Sequence, residues 1–95
     1  MAIDREAGII VANGRFAHFT AQEFEIFQAL FDAKGRIQTK ENLLSVIAPI
    51  IDDEPGIKIV DIYVCKIRKK LTGLGLAIET VWGRGYRINQ RGATV

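Results

Sequence analysis

The sequence predicts an α+β fold in which a short N-terminal antiparallel sheet precedes three helices and a C-terminal β-hairpin. Three observations predict it. An Asn-Gly pair interrupts an apolar run near the N-terminus, the middle of the chain carries apolar residues at helical spacing, and a glycine-flanked arginine interrupts an apolar run near the C-terminus. With 95 residues, 48% of them hydrophobic, we expect one compact domain covering residues 1–95.

The first hairpin is predicted from Gly8 to Phe19. We expect its turn at Asn13-Gly14, because asparagine and glycine both tolerate the positive φ angles that a type I′ turn requires. Residues 2–5 are predicted to add a third short strand. Since an isolated hairpin is only marginally stable, we expect the apolar face of residues 1–19 to pack on the helices.

The first helix is predicted to begin after Thr20 and to end near Gly35. Thr20 and Glu23 match a capping box, in which the side chain of each residue accepts a hydrogen bond from the backbone N–H of the other. Glycine is common just beyond the end of a helix. The predicted core stripe of this helix consists of Phe24, Phe27, Leu30 and Phe31.

Two further helices complete a predicted three-helix bundle over residues 20–72. The second begins after Thr39 and ends at Pro49, because proline cannot donate a helical hydrogen bond. Its apolar side is Leu43, Leu44 and Ile47. The third runs from about Pro55 to Leu71. Its predicted core face is Ile57, Val60, Val64, Ile67 and Leu71.

The second hairpin is predicted over residues 78–88, with strands 78–82 and 86–88 around the turn Gly83-Arg84-Gly85. Tyr86 and Ile88 are expected in the core. For Trp82 two places remain open, the core and the outside of the hairpin. Two helices joined by a short loop and followed by a hairpin, or wing, are the winged variant of the helix-turn-helix fold.

Charge is distributed unevenly along the chain. Residues 1–56 contain five basic and nine acidic side chains, whereas residues 57–95 contain eight basic and two acidic ones. This asymmetry indicates a polyanionic partner for the C-terminal half. A solvated basic face is the alternative that charge alone leaves open.

The face of the third helix opposite its core stripe mixes cations with apolar residues. This face contains Lys58, Ile62, Cys65, Lys66 and Lys69, and Arg68 follows near its end. A merely solvated face would rarely place isoleucine and cysteine at its centre. In the DNA major groove, lysine reaches phosphates or guanine acceptors and a branched apolar side chain packs on thymine methyl groups. We therefore expect this helix, at about residues 55–71, to read the major groove.

The wing supplies a second candidate contact. Gly83 and Gly85 permit a tight turn, and Arg84 at its tip would reach a narrow, electronegative minor groove. Gly-Arg-Gly is not a dinucleotide-binding loop, because no third glycine and no helix follow it.

Two segments resemble the effector domains of OmpR/PhoB-type response regulators. Ile57–Leu71 is similar to that family's recognition helix and Ile78–Ile88 to its wing. Within the family, the likeness is closest to an alphaproteobacterial cell-cycle regulator. The residues that carry this closer likeness are Asp53-Glu54-Pro55, Val64-Cys65-Lys66 and Glu79-Thr80-Val81-Trp82-Gly83-Arg84-Gly85-Tyr86.

The resemblance implies a transcription factor that binds A·T-rich double-stranded DNA with TTAA-type half-sites, in tandem or inverted, as a homodimer. It also implies that the loop at residues 49–54 touches RNA polymerase. The candidate DNA-binding residues are Lys58, Asp61, Ile62, Tyr63, Cys65, Lys66, Arg68, Lys69, Thr80, Trp82 and Arg84. Family members carry a receiver domain, and none is recognisable here. We therefore expect a standalone bacterial, phage or mobile-element regulator, or an excised domain.

Other classes of function fit less well. His18 is the only histidine, and neither it nor Cys65 has a catalytic partner at a suitable spacing. Asp52, Asp53 and Glu54 lack metal-ligand spacing. We expect no enzyme, no metal, no cofactor and no membrane span, and a reducing cytoplasm suits the single cysteine. The alternative to DNA binding is a winged helix that modulates RNA polymerase or another regulator through protein contacts.

Overall fold

A computed structural model of the chain describes residues 1–50 and 56–89, which form two antiparallel sheets and three helices. The elements, in order, are β1 (Ala2–Asp4), β2 (Ile9–Ala12), β3 (Arg15–His18), α1 (Ala21–Asp32), α2 (Lys40–Ile47), a 3-10 turn (Ala48–Ile50), α3 (Lys58–Leu71), β4 (Ala77–Val81) and β5 (Gly85–Asn89). This order confirms the predicted α+β winged helix-turn-helix fold, including the third short strand β1.

The N-terminal sheet has the strand order β1-β2-β3. Asn13 and Gly14 both have positive φ, 53° and 72°, as a type I′ turn requires. Ile10 of β2 pairs with Ala17 of β3, and both side chains point inward and are buried. One face of the sheet therefore covers the helices, as expected from its alternating pattern.

Helix α1 begins with the predicted capping box. The Thr20 hydroxyl accepts the backbone N–H of Glu23, and the Glu23 carboxylate accepts the backbone N–H of Thr20 at 2.8 Å. The ring of Phe27 stacks between those of Phe19 and Phe31, with centroid distances of 5.5 and 5.6 Å. The predicted phenylalanine stripe is therefore part of the core, with Phe31 at its half-buried edge.

Helix α2 begins at the Thr39 cap, as predicted, and its buried residues Leu43 and Ile47 face the core. The α-helix ends at Ile47, and the chain continues through Pro49 as a 3-10 turn. Such a turn satisfies the last carbonyl groups where proline cannot extend the ladder of α-helical hydrogen bonds.

Helix α3 begins later than predicted. Its first residue is Lys58, and Ile57 is the N-cap residue; Pro55 lies outside the described residues. The prediction that Ile57 belongs to the core face is wrong, because its side chain is 38% exposed. Gly56 is a poor helix former, so α3 does not extend back through it, and Ile57 precedes the first helical turn that packs on the core. The other four predicted core residues of this helix are buried.

The wing differs slightly from its predicted boundaries. Strand β4 ends at Val81, which pairs with Gly85, and the loop is Trp82-Gly83-Arg84 rather than residues 83–85. Gly85 has a φ of +142°, which only glycine adopts readily, and this angle lets it enter strand β5 directly. Tyr86 and Ile88 are buried, as predicted.

Both sheets and all three helices contribute to one core. Its buried members are Ile10, Ala12, Ala17, Phe19, Phe24, Ile26, Phe27, Leu30, Leu43, Ile47, Val60, Val64, Ile67, Leu71, Leu74, Leu76, Ile78, Tyr86 and Ile88. No helix in the described part of the chain combines the length and the apolar character needed to cross a membrane.

Candidate nucleic-acid interface

The face of α3 that points away from the core is solvent-exposed along its length. The exposed side chains on it are Lys58, Ile62, Cys65, Lys66 and Lys69. Ile62 is 54% exposed, which is unusual for an isoleucine in the middle of a 14-residue helix. Neither Ile62 nor Lys66 is turned inward or covered by the described strands. The structure therefore presents an uncovered helix face that is both cationic and apolar.

Lys70, next to this face in sequence, points to another part of the molecule. Its ammonium group lies 2.6 Å from the buried carboxylate of Glu23 and 5.6 Å from the ring centroid of Phe19. Burial raises the pKa of Glu23, but the hydrogen bonds from Lys70 and from the Thr20 backbone outweigh it, and the net pKa is lowered. Lys70 thus joins the end of α3 to the start of α1.

Asp61 projects from α3 towards the wing and α2. Its carboxylate accepts a hydrogen bond from the Tyr86 hydroxyl on β5 and forms an ion pair with Lys40, the first residue of α2, at 3.1 Å. The hydrogen bond from Tyr86 is the main reason that the pKa of Asp61 is lowered, and Lys40 adds to the effect. One carboxylate therefore connects three elements.

Two cations lie close to the ring of Tyr86. Lys40 and Arg68 are 5.9 and 5.6 Å from its centroid, distances at which cation–π attraction operates. Burial, followed by the hydrogen bond to Asp61, raises the pKa of Tyr86 to about 12. The hydroxyl therefore stays protonated and remains a donor at neutral pH.

Arg68 links α3 to the wing. Its Nε donates to the carbonyl of Ile78 at 3.1 Å, and its Nη2 donates to the hydroxyl of Thr80 at 2.6 Å. A planar guanidinium with several donors suits such a paired contact. The orientation of β4 relative to α3 is fixed by these two bonds.

The base of the wing is packed against the loop between α1 and α2. Gln38 and Tyr86 exchange two backbone hydrogen bonds of 2.7 and 2.9 Å. A Cβ atom at Gly85 would lie 2.1 Å from the carbonyl oxygen of Gln38, well inside van der Waals contact. This position therefore requires glycine for close approach as well as for its φ angle.

The tip of the wing, by contrast, is solvent-exposed. Trp82 is 89% exposed, which settles its place outside the core, and Gly83 and Arg84 are exposed beside it. The backbone N–H of Arg84 donates to the carbonyl of Val81 at 2.9 Å and closes the loop. Tryptophan and arginine thus project together from a tightly closed turn.

An open cleft of about 510 Å³ lies between the wing, α3 and the start of α2. Its lining residues are Lys40, Glu41, Asp61, Arg68, Thr80, Val81, Trp82, Gly83, Arg84, Gly85 and Tyr86. Most of the charged groups in this lining are cationic, and the Asp61 carboxylate already pairs with Lys40. The cleft joins the wing tip to one side of the helix.

The predicted site residues divide into four groups in the structure. The uncovered helix face holds Lys58, Ile62, Cys65, Lys66 and Lys69, and the wing tip holds Trp82 and Arg84. Between the helix face and the wing tip, Arg68 donates to Thr80 of β4, and Asp61 accepts from Tyr86 of β5. Tyr63 is half-buried against the core, with the Lys66 ammonium 5.8 Å from its ring centroid.

Sequence reasoning missed Lys40 and Gln38. Lys40 neutralises Asp61, and Gln38 pairs with the wing, yet neither stands in a pattern that distinguishes it from other polar residues after the first helix. Their roles depend on contacts across 21 or more positions of sequence, which local periodicity does not reveal.

Comparison with known families decides the class. Residues 14–88 match the family described as transcriptional regulatory protein, C terminal. The chain belongs to this family. It is thus an OmpR/PhoB-type response-regulator effector domain, a class of DNA-binding transcription-regulator domain rather than an enzyme.

Individual relatives agree with the expected likeness to a cell-cycle regulator. This effector domain is 37% identical over 93 residues to the cell cycle response regulator CtrA of Brucella anthropi. The match covers 95% of this chain and 40% of the relative, so the chain spans about two fifths of the length of that protein.

Solved structures agree on the fold. The DNA-binding domain of Bacillus subtilis CssR superposes with a TM-score of 0.73 at 26% identity, covering 93% of this chain and 98% of that one. The DNA-binding domain of the response regulator AdeR, solved in complex with an intercistronic region, has a TM-score of 0.76 at 24% identity and covers 94% and 93% of the two chains. At that identity the second likeness concerns the fold alone.

Proposed function

We propose that this effector domain binds double-stranded DNA sequence-specifically, with α3 in the major groove and Arg84 of the wing beside the minor groove. The observation that carries the proposal is the uncovered face of α3, on which Ile62 and Lys66 stand exposed at its centre. A helix that fits the major groove needs such a combination, because cations contact phosphate or guanine and the apolar side chain contacts thymine methyl groups.

Family membership and one neighbouring structure support this proposal. The family consists of transcription-regulator domains, and the similar CssR structure is that of a DNA-binding domain. Lys40, Lys70 and Arg87 form ion pairs with Asp61, Glu23 and Glu79. The exposed lysines of α3 and Arg84 are therefore the cations best placed for phosphate contacts. Asp61, Arg68 and Thr80 would then orient the wing relative to the helix, and Tyr63 would support Lys66.

The A·T-rich, TTAA-type half-sites and the binding of two copies to tandem or inverted half-sites are part of the same proposal. A narrow A·T-rich minor groove has the strongest negative potential, which suits Arg84. Contact with RNA polymerase through residues 49–54 is also proposed, although residues 51–54 of that loop lie outside the described part of the chain.

The proposal is tested by titrating a labelled A·T-rich duplex with the protein over a range of salt concentrations and following fluorescence anisotropy. Phosphate neutralisation by a few cations predicts a log–log slope of affinity against salt of about −3 or steeper. A G·C-rich duplex of the same length should bind at least roughly tenfold more weakly.

A protein-interaction module is the alternative, and the same titration discriminates it. Such a module would show no measurable affinity for either duplex at low salt. Equal affinity for the two duplexes would instead reduce the proposal to non-specific DNA binding.

A further inference from the structure

Trp82 is the only tryptophan in the chain and, among residues 1–50 and 56–89, the most exposed large hydrophobic side chain. Its indole is 89% exposed at the tip of the wing. Tryptophan is enriched in binding interfaces, because it combines a large apolar ring system with an N–H donor. Trp82 is therefore a candidate contact residue.

The wing presents this indole on a fixed support. Gly85 packs directly against the Gln38 carbonyl, and Arg68 holds Thr80 on the preceding strand. The loop itself is closed by the hydrogen bond between Arg84 and Val81. A loop held this way loses little backbone freedom when it binds, which favours affinity.

The surroundings of Trp82 favour a polyanion over an apolar protein surface. Arg84 and Arg68 line the same cleft. Lys40 and Asp61, which also line it, form an ion pair with each other, so Arg68 and Arg84 remain against the single carboxylate of Glu41. The other exposed aromatic, Phe16, pairs with Val11 on the N-terminal sheet and does not line this cleft.

Building on the proposed function, we propose that Trp82 buries its indole between the deoxyribose walls of the minor groove. The wing then recognises the groove by apolar packing in addition to the charge of Arg84. Apolar side chains are known to enter minor grooves in this way, most easily at flexible A·T-rich steps. The occupant of this surface is duplex DNA.

The sole tryptophan allows a direct test in the unmodified chain. Adding an A·T-rich duplex should quench or shift the emission of Trp82 in proportion to the bound fraction, which anisotropy of a labelled duplex measures in parallel. The emission change should saturate at the same DNA concentration as the anisotropy.

Variants separate packing from charge. Trp82→Ala should lower affinity about tenfold at every salt concentration with an unchanged log–log slope, since an apolar contact releases no counterions. Arg84→Ala should make the slope less steep by about 0.9. Trp82→Phe should retain much of the affinity. Phe16→Ala, which removes the other exposed aromatic, should leave affinity unchanged.

Distinct results would overturn the inference and the function beneath it. Specific binding with unchanged tryptophan emission, together with full affinity of Trp82→Ala, overturns the minor-groove role and leaves the proposed function intact. If DNA still binds and the emission of Trp82 responds only to a protein partner, the minor-groove role is likewise overturned and the proposed function stands. No binding by the unmodified chain overturns both. Thermal unfolding of Trp82→Ala should be unchanged, because the indole is exposed.

Discussion

The hydroxyl of Tyr86 on strand β5 donates a hydrogen bond to the carboxylate of Asp61 on helix α3. Lys40 of α2 completes the cluster through its ion pair with the same carboxylate. The three side chains connect the wing to both helices of the helix-turn-helix unit, and their spatial relationship is therefore part of the geometry with which the domain would meet DNA.

Tyr86→Phe should lower the free energy of unfolding by about 1–2 kcal/mol, since it removes a hydrogen bond to a charged acceptor while keeping the ring. Denaturant unfolding measures the loss. Tyr63→Phe is the matched control and should change stability by less than about 0.5 kcal/mol. Equal effects of the two variants would show that the bond to Asp61 contributes nothing specific.

Burial of Tyr86, together with its bond to Asp61, predicts alkaline sensitivity. The pKa of Tyr86 is raised from 10.0 to about 12 in the folded chain, so the unfolded chain loses this proton first. The stabilisation is complete below pH 10 and is lost as the pH rises through about 12. Unfolding free energies of the unmodified chain and Tyr86→Phe, measured across this range, should converge as the pH rises; a constant difference would contradict the assignment.

Glu23→Gln should destabilise the domain by roughly 1–3 kcal/mol, because it leaves Lys70 without its ion-pair partner. The pKa of Glu23 is lowered from 4.5, so its stabilisation is present above pH 4.5 and is lost as the pH falls through the folded-state value. The difference from the unmodified chain should accordingly shrink in acid. Glu25→Gln, an exposed change on the same helix, serves as control and should stay within about 0.5 kcal/mol at neutral pH.

Gly85→Ala should cost more than about 2 kcal/mol, since the new Cβ atom would collide with the Gln38 backbone in a strained φ region. Gly83→Ala has open space around it and should cost only about 1 kcal/mol for its positive φ angle. Thermal unfolding compares the two. If Gly85→Ala were the milder change, the close contact between wing and loop would be refuted.

Ile62→Ala and Lys66→Ala should each reduce discrimination between an A·T-rich site and random DNA by about 1–3 kcal/mol. Competition binding at fixed salt measures the two affinities. Arg5→Ala, which removes an exposed charge from the β1–β2 loop, should leave the ratio unchanged. An equal loss on both DNAs would mean that Ile62 and Lys66 touch only the phosphate backbone.

Local chemistry made much of the fold predictable. Asn13-Gly14 favours a type I′ turn, and Thr20 and Glu23 accept hydrogen bonds from free backbone N–H groups at the start of α1. Both effects involve residues no more than three positions apart. The exposed face of α3 was equally readable, because helical periodicity alone places Ile62 and Lys66 opposite the buried stripe. The start of α3 was less predictable. Ile57 continues the apolar stripe of the helix, but it directly follows Gly56, which is a poor helix former.

The amino-acid order by itself determined the elements, their sequence along the chain and the mixed face of α3, because these follow from interactions over three or four residues. Only the tertiary structure decided that Asp61 and Arg68 bind the wing, that Lys70 turns to Glu23, and that Trp82 stands outside the core. Those outcomes depend on which groups distant in sequence come within hydrogen-bonding or packing distance, and no local pattern contains that information.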